Sequence, residues 1–324
     1  MRVTDRTGAA TAPSLDRAGA AAEPSPDLAA PAGEPSAVTL IGSHTKTAGG
    51  LATAALPYAD GAGSEAVQVY VSNSRGWALP PGDPAQDARF RDGCAERKLP
   101  AYVHASLIVN LGSPTPATVS RSVETLRHAL LRGRDIGATA VVFHAGSSVV
   151  PEHDAKALRQ VRAALLPLLD TAAASGLPRL LVEPSAGGGR SLASTMTDLG
   201  PYLAAVDDHP WLGVCFDTCH ACAAGHDLAA PGGMTATLDA LVATVGPGRL
   251  QLIHANDAKD ACGSARDRHE TIGAGRIGTA AFAELLTHPA AAGVPVIVET
   301  PSEGFAGHAA DIALLKKLRA GPPL

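Results

Sequence analysis

The 324-residue chain is predicted to be an α/β protein, a single (β/α)8 barrel of the TIM class behind a disordered N-terminal tail. Three observations carry this. From Ala37 onward, a short β-branched apolar run, a polar or Gly-containing turn and an amphipathic stretch recur in that order. Eight such units fit within about 290 residues, close to the scale of one barrel rather than two domains. Each run is apolar almost throughout, as a strand must be when helices cover both faces of a parallel sheet. An open doubly wound sheet is the alternative, but it rarely needs so many units.

The elements follow in order. Residues 1–36 are rich in Ala, Pro and Ser with scattered acids (Asp5, Asp16, Glu23, Asp27, Glu34). They offer nothing to bury and are expected to form the disordered tail, with the barrel domain over 37–324. Strands are expected at Val38–Gly42, Val67–Val71, Ala101–His104, Thr139–His144, Leu180–Glu183, Leu212–Asp217, Leu250–His254 and Val294–Glu299. Helices expected between them include Thr118–Gly133, His153–Ala174, Leu238–Val245 and Ala280–Leu286, with a last one near Ala309–Arg319.

Composition narrows the function classes. At 46% hydrophobic, the chain can bury a large core. Its 34 Gly and 25 Pro are about 18% of residues, below the roughly 25–30% of low-complexity chains. Aromatic residues at 3% disfavour a stacking platform for single-stranded nucleic acid, and a net charge of −5 gives no bulk basic footprint. Five cysteines in a chain this long make no disulfide framework, so reduced thiols and a cytoplasmic location are expected. No apolar run reaches the ~18 residues of a membrane span and the start lacks a secretory apolar region, so no membrane association is expected.

Six consecutive strands end in a residue that can bind a metal or move a proton: His104, His144, Glu183, Asp217, His254 and Glu299. In a parallel barrel those ends converge on one mouth. A lone strand-end His or Asp is ordinarily a packed or capping residue, but six in register are not reached that way. Glu183, Asp217 and Glu299 would repel one another without cations, and carboxylate with imidazole is a donor set suited to Zn²⁺ or Mn²⁺. Asp217-Thr218-Cys219-His220 brings His220 back within a helical turn, and Asp267-Arg268-His269 puts two more donors on one side of a loop. Five His and four carboxylates suffice for two or three ions. Three dications over four carboxylates leave about +2 at the mouth, so the acidic chain can still admit a polyanion.

These residues resemble the endonuclease IV type of apurinic/apyrimidinic DNA endonucleases. The matching stretches begin with Gly42-Ser43-His44…Gly49-Gly50-Leu51, Val103-His104-Ala105-Ser106…Asn110-Leu111-Gly112, Phe143-His144-Ala145-Gly146-Ser147 and Val182-Glu183-Pro184-Ser185-Ala186-Gly187. They continue with Asp217-Thr218-Cys219-His220, His254-Ala255-Asn256-Asp257-Ala258-Lys259, Asp267-Arg268-His269 and Ile297-Val298-Glu299-Thr300. The resemblance implies a trinuclear zinc site, with manganese admissible at one position. His104, His144 and Glu183 hold one ion; Glu183 bridges to a second shared with Asp217, His254 and Glu299; His220, Asp267 and His269 hold the third. It implies hydrolysis of the DNA phosphodiester 5′ to an abasic site by two-metal logic, leaving a 3′-hydroxyl, with Glu183 and Glu299 as catalytic carboxylates. The partner is double-stranded DNA carrying abasic sites, met by a monomer.

Lesion recognition departs from the resembled pattern. Asn73-Ser74-Arg75-Gly76-Trp77 supplies the Arg expected to enter the DNA stack. Past the His104 ligand, however, Ala105 and Leu107 replace an Asp and a Tyr, leaving Leu107 and Ile108 as apolar wedges. Pro184 replaces an Asn. Lys259, Arg266 and Arg268 are candidate phosphate contacts, and the Gly187-Gly188-Gly189-Arg190 loop could admit a DNA backbone. His44 is expected behind the ligands rather than among them.

Two textual matches fail on context. Gly273–Gly278 fits G-x-G-x-x-G, but no buried strand precedes it. Cys219–Cys222 fits C-x-x-C, but it interrupts a ligand segment and has no partner pair. Two rivals stand beside the nuclease reading: a metal-dependent sugar isomerase or epimerase of related barrel design, which has no need of the Asp267/His269 loop, and a DNA-damage binder without turnover.

Overall fold

The computed structural model describes residues 38–321, and the tail expected over 1–36 lies outside the described residues. In chain order the strands are β1 Ile41–His44, β2 Val67–Tyr70, β3 Ala101–His104, β4 Ala140–His144, β5 Arg179–Glu183, β6 Leu212–Asp217, β7 Leu250–His254, β8 Asp257–Ala258, β9 His269–Glu270 and β10 Val296–Val298. The helices are α1 Leu56–Ala62, α2 Pro84–Arg97, α3 Pro116–Asp135, α4 Asp154–Ala174, α5 Leu199–Ala204, α6 Thr218–Ala223, α7 Gly233–Val245, α8 Thr279–Thr287 and α9 Ala306–Ala320. All strands except β8 and β9 run parallel and close a barrel in the order β1-β10-β7-β6-β5-β4-β3-β2. Closure depends on β1, which pairs with β2 on one edge and β10 on the other, and it excludes the open doubly wound sheet.

Side-chain alternation along each strand produces two layers inside the barrel. Tyr102, Val142, Leu181, Cys215, Leu252 and Ile297 form one buried cluster in the interior. Each precedes a metal-capable residue by two positions, so the apolar layer lies directly beneath the donor layer. The opposite faces of the strands meet the helices in the main core. There α4 contributes Ala157, Val161, Leu165, Leu168, Leu169 and Ala172, spaced as one helical stripe. Gly42 marks the tightest point: a Cβ there would lie 1.7 Å from the Ala66 carbonyl oxygen, so only glycine lets β1 approach the start of β2.

Among the strands, β1 and β10 depart most from the expected bounds. β1 starts at Ile41 rather than Val38 and extends to His44, because its register is set by Ile41 against Val296 and Ser43 against Val67 while Val38 stays exposed. β10 ends at Val298, one residue short of Glu299, whose backbone N–H donates to the Asn256 side chain at 2.8 Å instead of to a neighbouring strand. α1 and α2 occupy stretches where no helix was named; α2 is dominated by charged residues that blur its apolar stripe, though Asp83 caps it through the Ala85 and Gln86 N–H groups. No helix among the described residues is long and apolar enough to cross a membrane.

Candidate metal centre

The C-terminal strand ends open onto a cavity of about 600 Å³. His104, His144, Glu183, Asp217 and His254 are the last residues of β3 to β7, and Glu299 follows β10 directly. His220 is brought to the same mouth by α6, which Asp217 caps: its Oδ1 accepts the His220 N–H at 2.8 Å. The antiparallel β8–β9 pair, with Ala258 opposite His269, folds the Asp267–His269 segment back over the opening. His104, His144, His220, Asp267, His269 and Glu299 line this cavity, and Glu183, Asp217 and His254 lie buried against them.

Glu183, 1% exposed, sits at the centre. Its Oε2 lies 3.2 Å from His104 Nε2 and 3.4 Å from His144 Nε2, whereas its Oε1 lies 3.0 Å from His254 Nδ1 and 3.4 Å from His220 Nδ1. His254 Nδ1 is also 3.5 Å from Glu299 Oε2 and 3.9 Å from Asp217 Oδ2. Asp267 contacts His220 Nε2 at 3.2 Å and His269 Nε2 at 3.1 Å, and Asp217 Oδ2 is 3.8 Å from His269 Nε2.

Burial opposes charge on each of these groups, so the shifts report which partners overcome it. Glu183 is held well below the ordinary carboxylate range by His254, His104 and His144. Glu299 is held down by His254 and His44, and Asp267 by His220 and His269. In return His220 and His254 are pushed well above the usual imidazole value and His269 to about 9. The carboxylates thus draw positive charge onto the ring nitrogens that face them.

A divalent cation would supply that charge and use the same lone pairs. Tetrahedral zinc with ligand bonds of about 2.0–2.1 Å needs donors roughly 3.3 Å apart, and the separations above bracket that value. His269 Nε2 is buried, and its 3.1 Å approach to Asp267 lacks hydrogen-bond geometry, as for an atom whose lone pair faces a cation. His104–His144–Glu183 and His220–Asp267–His269 each form a donor triad with ligand atoms within 4.8 Å of one another. The residues present fit metal. Cys215 and Cys219 also lie near donors, but burial pushes the Cys215 thiol up to about 12 and raises Cys219 too.

Of the expected DNA contacts, Arg75 and Leu107 line the cavity. Their loops are tied together: Leu107 N–H donates to the Ser74 carbonyl at 2.8 Å, and Ser106 Oγ to the same oxygen at 2.9 Å. Ile108 is half-buried and does not line the cavity. Lys259 is exposed, while Arg268 is engaged by Asp260, its Nε lying 2.6 Å from Oδ2. Arg190 is likewise paired with Asp154.

Sequence reading missed several residues here. Gln68, fully buried on β2, contacts His44, His254 and Glu299; its one signal is a polar residue inside an apolar strand. Asn256 ties Asp217 to Glu299, donating Nδ2–H to Asp217 Oδ2 at 2.7 Å. Lys46 faces the cavity with its Nζ bonded to the Ser302 carbonyl, and His308 lines the same wall. The G-x-G-x-x-G glycines wrap a buried carboxylate: Asp257 accepts from the N–H groups of Gly273, Ile277 and Gly278. A Cβ on Gly275 would meet Asp257 Oδ1 at 2.4 Å, which accounts for that glycine.

Comparison with known proteins agrees with this geometry. Residues 56–318 match the family profile described as a xylose isomerase-like TIM barrel. A protein named probable endonuclease 4 from Streptomyces coelicolor is 57% identical over 281 residues, covering 87% of this chain and 95% of its own. The crystal structure of endonuclease IV from Thermus thermophilus superposes with a TM-score of 0.76 at 32% identity, covering 87% of this chain and all of that one. A D-tagatose 3-epimerase-like protein reaches a TM-score of 0.65 at 17% identity, covering 86% and 97%, which shows the shared barrel alone.

Proposed function

The chain belongs to the endonuclease IV family of apurinic/apyrimidinic endonucleases, and from that premise we propose that it cuts duplex DNA on the 5′ side of an abasic site, as a monomer, using three zinc ions at the barrel mouth. It is a phosphodiester hydrolase. The observation that carries the zinc reading is the division of Glu183, whose two oxygens face two different sets of imidazoles. A carboxylate so placed is built to bridge.

His104, His144 and Glu183 would hold one ion, Glu183, Asp217, His254 and Glu299 a second, and His220, Asp267 and His269 the third. When bound, the ions supply acidified water usable as a nucleophile at neutral pH and positive charge to neutralise the phosphate. The chain's own residues do the rest. Glu183 stays ionised because imidazoles surround it, so it orients water by accepting a hydrogen bond rather than by donating a proton. Glu299 does the same from the opposite wall, held by Gln68. Arg75 and Leu107 project from tied loops into the cavity, where a guanidinium and an apolar surface can replace the missing base stack. Lys259 offers an exposed cation to the phosphate backbone, as Arg268 does once it exchanges Asp260 for phosphate.

The test is incision of a duplex carrying one abasic site against the same duplex with an intact base, with and without chelator. Cutting 5′ to the lesion alone, lost on chelation and restored by zinc, is the expected result. Absence of cutting under all conditions overturns the assignment, and equal cutting of both duplexes removes abasic specificity. A metal content of one or two ions per chain overturns the three-ion reading.

A further inference from the structure

His254 is held differently from its neighbours. His104, His220 and His269 each donate Nδ1–H to a backbone carbonyl, of Ala105, Pro184 and Glu299 respectively, and so turn Nε2 toward the carboxylates. His254 presents the opposite nitrogen: Nδ1 faces Glu183, Glu299 and Asp217, and Nε2 lies 3.0 Å from Gln68 Oε1.

The orientation of the Gln68 amide follows from its other end. Gln68 Nε2 is 2.6 Å from Glu299 Oε1 and 2.9 Å from His44 Nδ1. A reversed amide would set its oxygen against the Glu299 carboxylate, two acceptors at hydrogen-bond distance in a buried site, which is strongly unfavourable. The NH₂ group therefore faces Glu299 and the oxygen faces His254. An amide oxygen only accepts, so the His254 proton sits on Nε2 and the Nδ1 lone pair points at the carboxylates. At Glu299 the amide occupies Oε1 and leaves Oε2, the oxygen nearest His254 Nδ1. One fully buried side chain thus fixes the outward-facing nitrogen of His254 and, together with His44 Nδ1 at 3.0 Å from the same Oε1, the outward-facing oxygen of Glu299.

We propose that Gln68 is the positioning residue of the middle ion site, selecting Nδ1 of His254 and Oε2 of Glu299 as its ligand atoms and thereby setting its affinity. This rests on the reading of the mouth as a three-ion centre. Residues that orient metal ligands from behind typically contribute 10–100-fold in affinity, and Gln68 acts on two ligands at once.

Two variants test it. Gln68→Met keeps length and volume but loses the hydrogen bonds to His254, Glu299 and His44. Gln68→Glu keeps an acceptor for His254 but turns a carboxylate against Glu299. Zinc affinity is read by competition with a chromophoric chelator, and ring ¹⁵N spectra of the zinc-loaded protein show which His254 nitrogen carries the proton. Gln68→Met is expected to weaken one of three ions by about 10–100-fold and to lose the single Nε2–H signal. Gln68→Glu is expected to keep that signal and still lose affinity. Unchanged affinity and an unchanged His254 spectrum in Gln68→Met overturn the proposal; if that variant does not fold, unchanged zinc affinity in Gln68→Glu does so. Wild-type protein that binds no zinc between Glu183 and Glu299 overturns the three-ion reading instead.

Discussion

His220 Nδ1 donates to the Pro184 carbonyl oxygen across 3.0 Å, so a position that departs from the resembled sequence pattern still orients the His220 ring, through its backbone. The side chain at 184 is not used in this bond. Pro184→Asn is therefore expected to leave the zinc content unchanged. His269→Ala, which removes one of the three members of the His220–Asp267–His269 triad, should lower it by about one ion per chain. Elemental analysis of the purified variants checks both, and an unaltered count in His269→Ala would remove that residue from the third site.

Glu183→Gln should be the most damaging single change at the mouth. An amide has one acceptor oxygen where the carboxylate has two, and its NH₂ would face the histidines that Glu183 now draws upward in pKa. Incision measured under single-turnover conditions is expected to fall more than a hundredfold, the ~2.7 kcal/mol scale of removing one preorganised catalytic group. A near-normal rate would show that no bridging carboxylate is needed.

The convergence of these donor side chains could be read from the sequence because it follows from two short-range rules. Strands ending in His104, His144, Glu183, Asp217 and His254 converge by topology, and the residue two places earlier is apolar in each because it lies one layer deeper. The ligand atom of His254 could not be read, because it is decided by Gln68, 186 positions away in sequence and brought near only by barrel closure. The Gly273–Gly278 match, set aside because no buried strand precedes it, has another physical cause: its glycines answer to Asp257 rather than to a phosphate. The start of β1 was misjudged because apolar Val38 extends the pattern beyond the residues that find a pairing partner. Surface cations were hardest to assign, since Arg268 and Lys259 look alike in sequence and only one has Asp260 as a close partner.

Arg75 reaches the cavity from a turn that Asn73 stabilises, its Oδ1 accepting the Arg75 N–H at 2.8 Å. It touches none of the metal donors through a hydrogen bond or ion pair among the described residues. Arg75→Ala should accordingly reduce the preference for abasic over intact duplex by about tenfold, ~1.4 kcal/mol, while slowing the cutting step less. Binding and single-turnover incision on the two duplexes separate these effects. Unchanged preference would place recognition elsewhere, with the Leu107 loop as the next candidate.

Far from the mouth, Glu65 joins the first strand to the last helix. Its Oε2 accepts from Ile41 N–H at 3.0 Å and from Arg319 at 2.7 Å, and its Oε1 is 3.1 Å from Lys316 Nζ. Burial raises its pKa, but Arg319, the Ile41 N–H and Lys316 together outweigh burial and hold it below the usual 4.5. With the folded value below the unfolded one, the unfolded chain takes up a proton first as pH falls. The stabilisation is thus complete above about pH 4.5 and is lost as pH falls further, through the folded value. Glu65→Gln should cost about 1 kcal/mol at neutral pH, and the gap from wild type should narrow on acidification. Chemical unfolding of both proteins in chelator, at pH 7 and in steps toward pH 3, removes any contribution from metal release; a gap that stays constant with pH would mean that the carboxylate charge is not what holds β1 to α9.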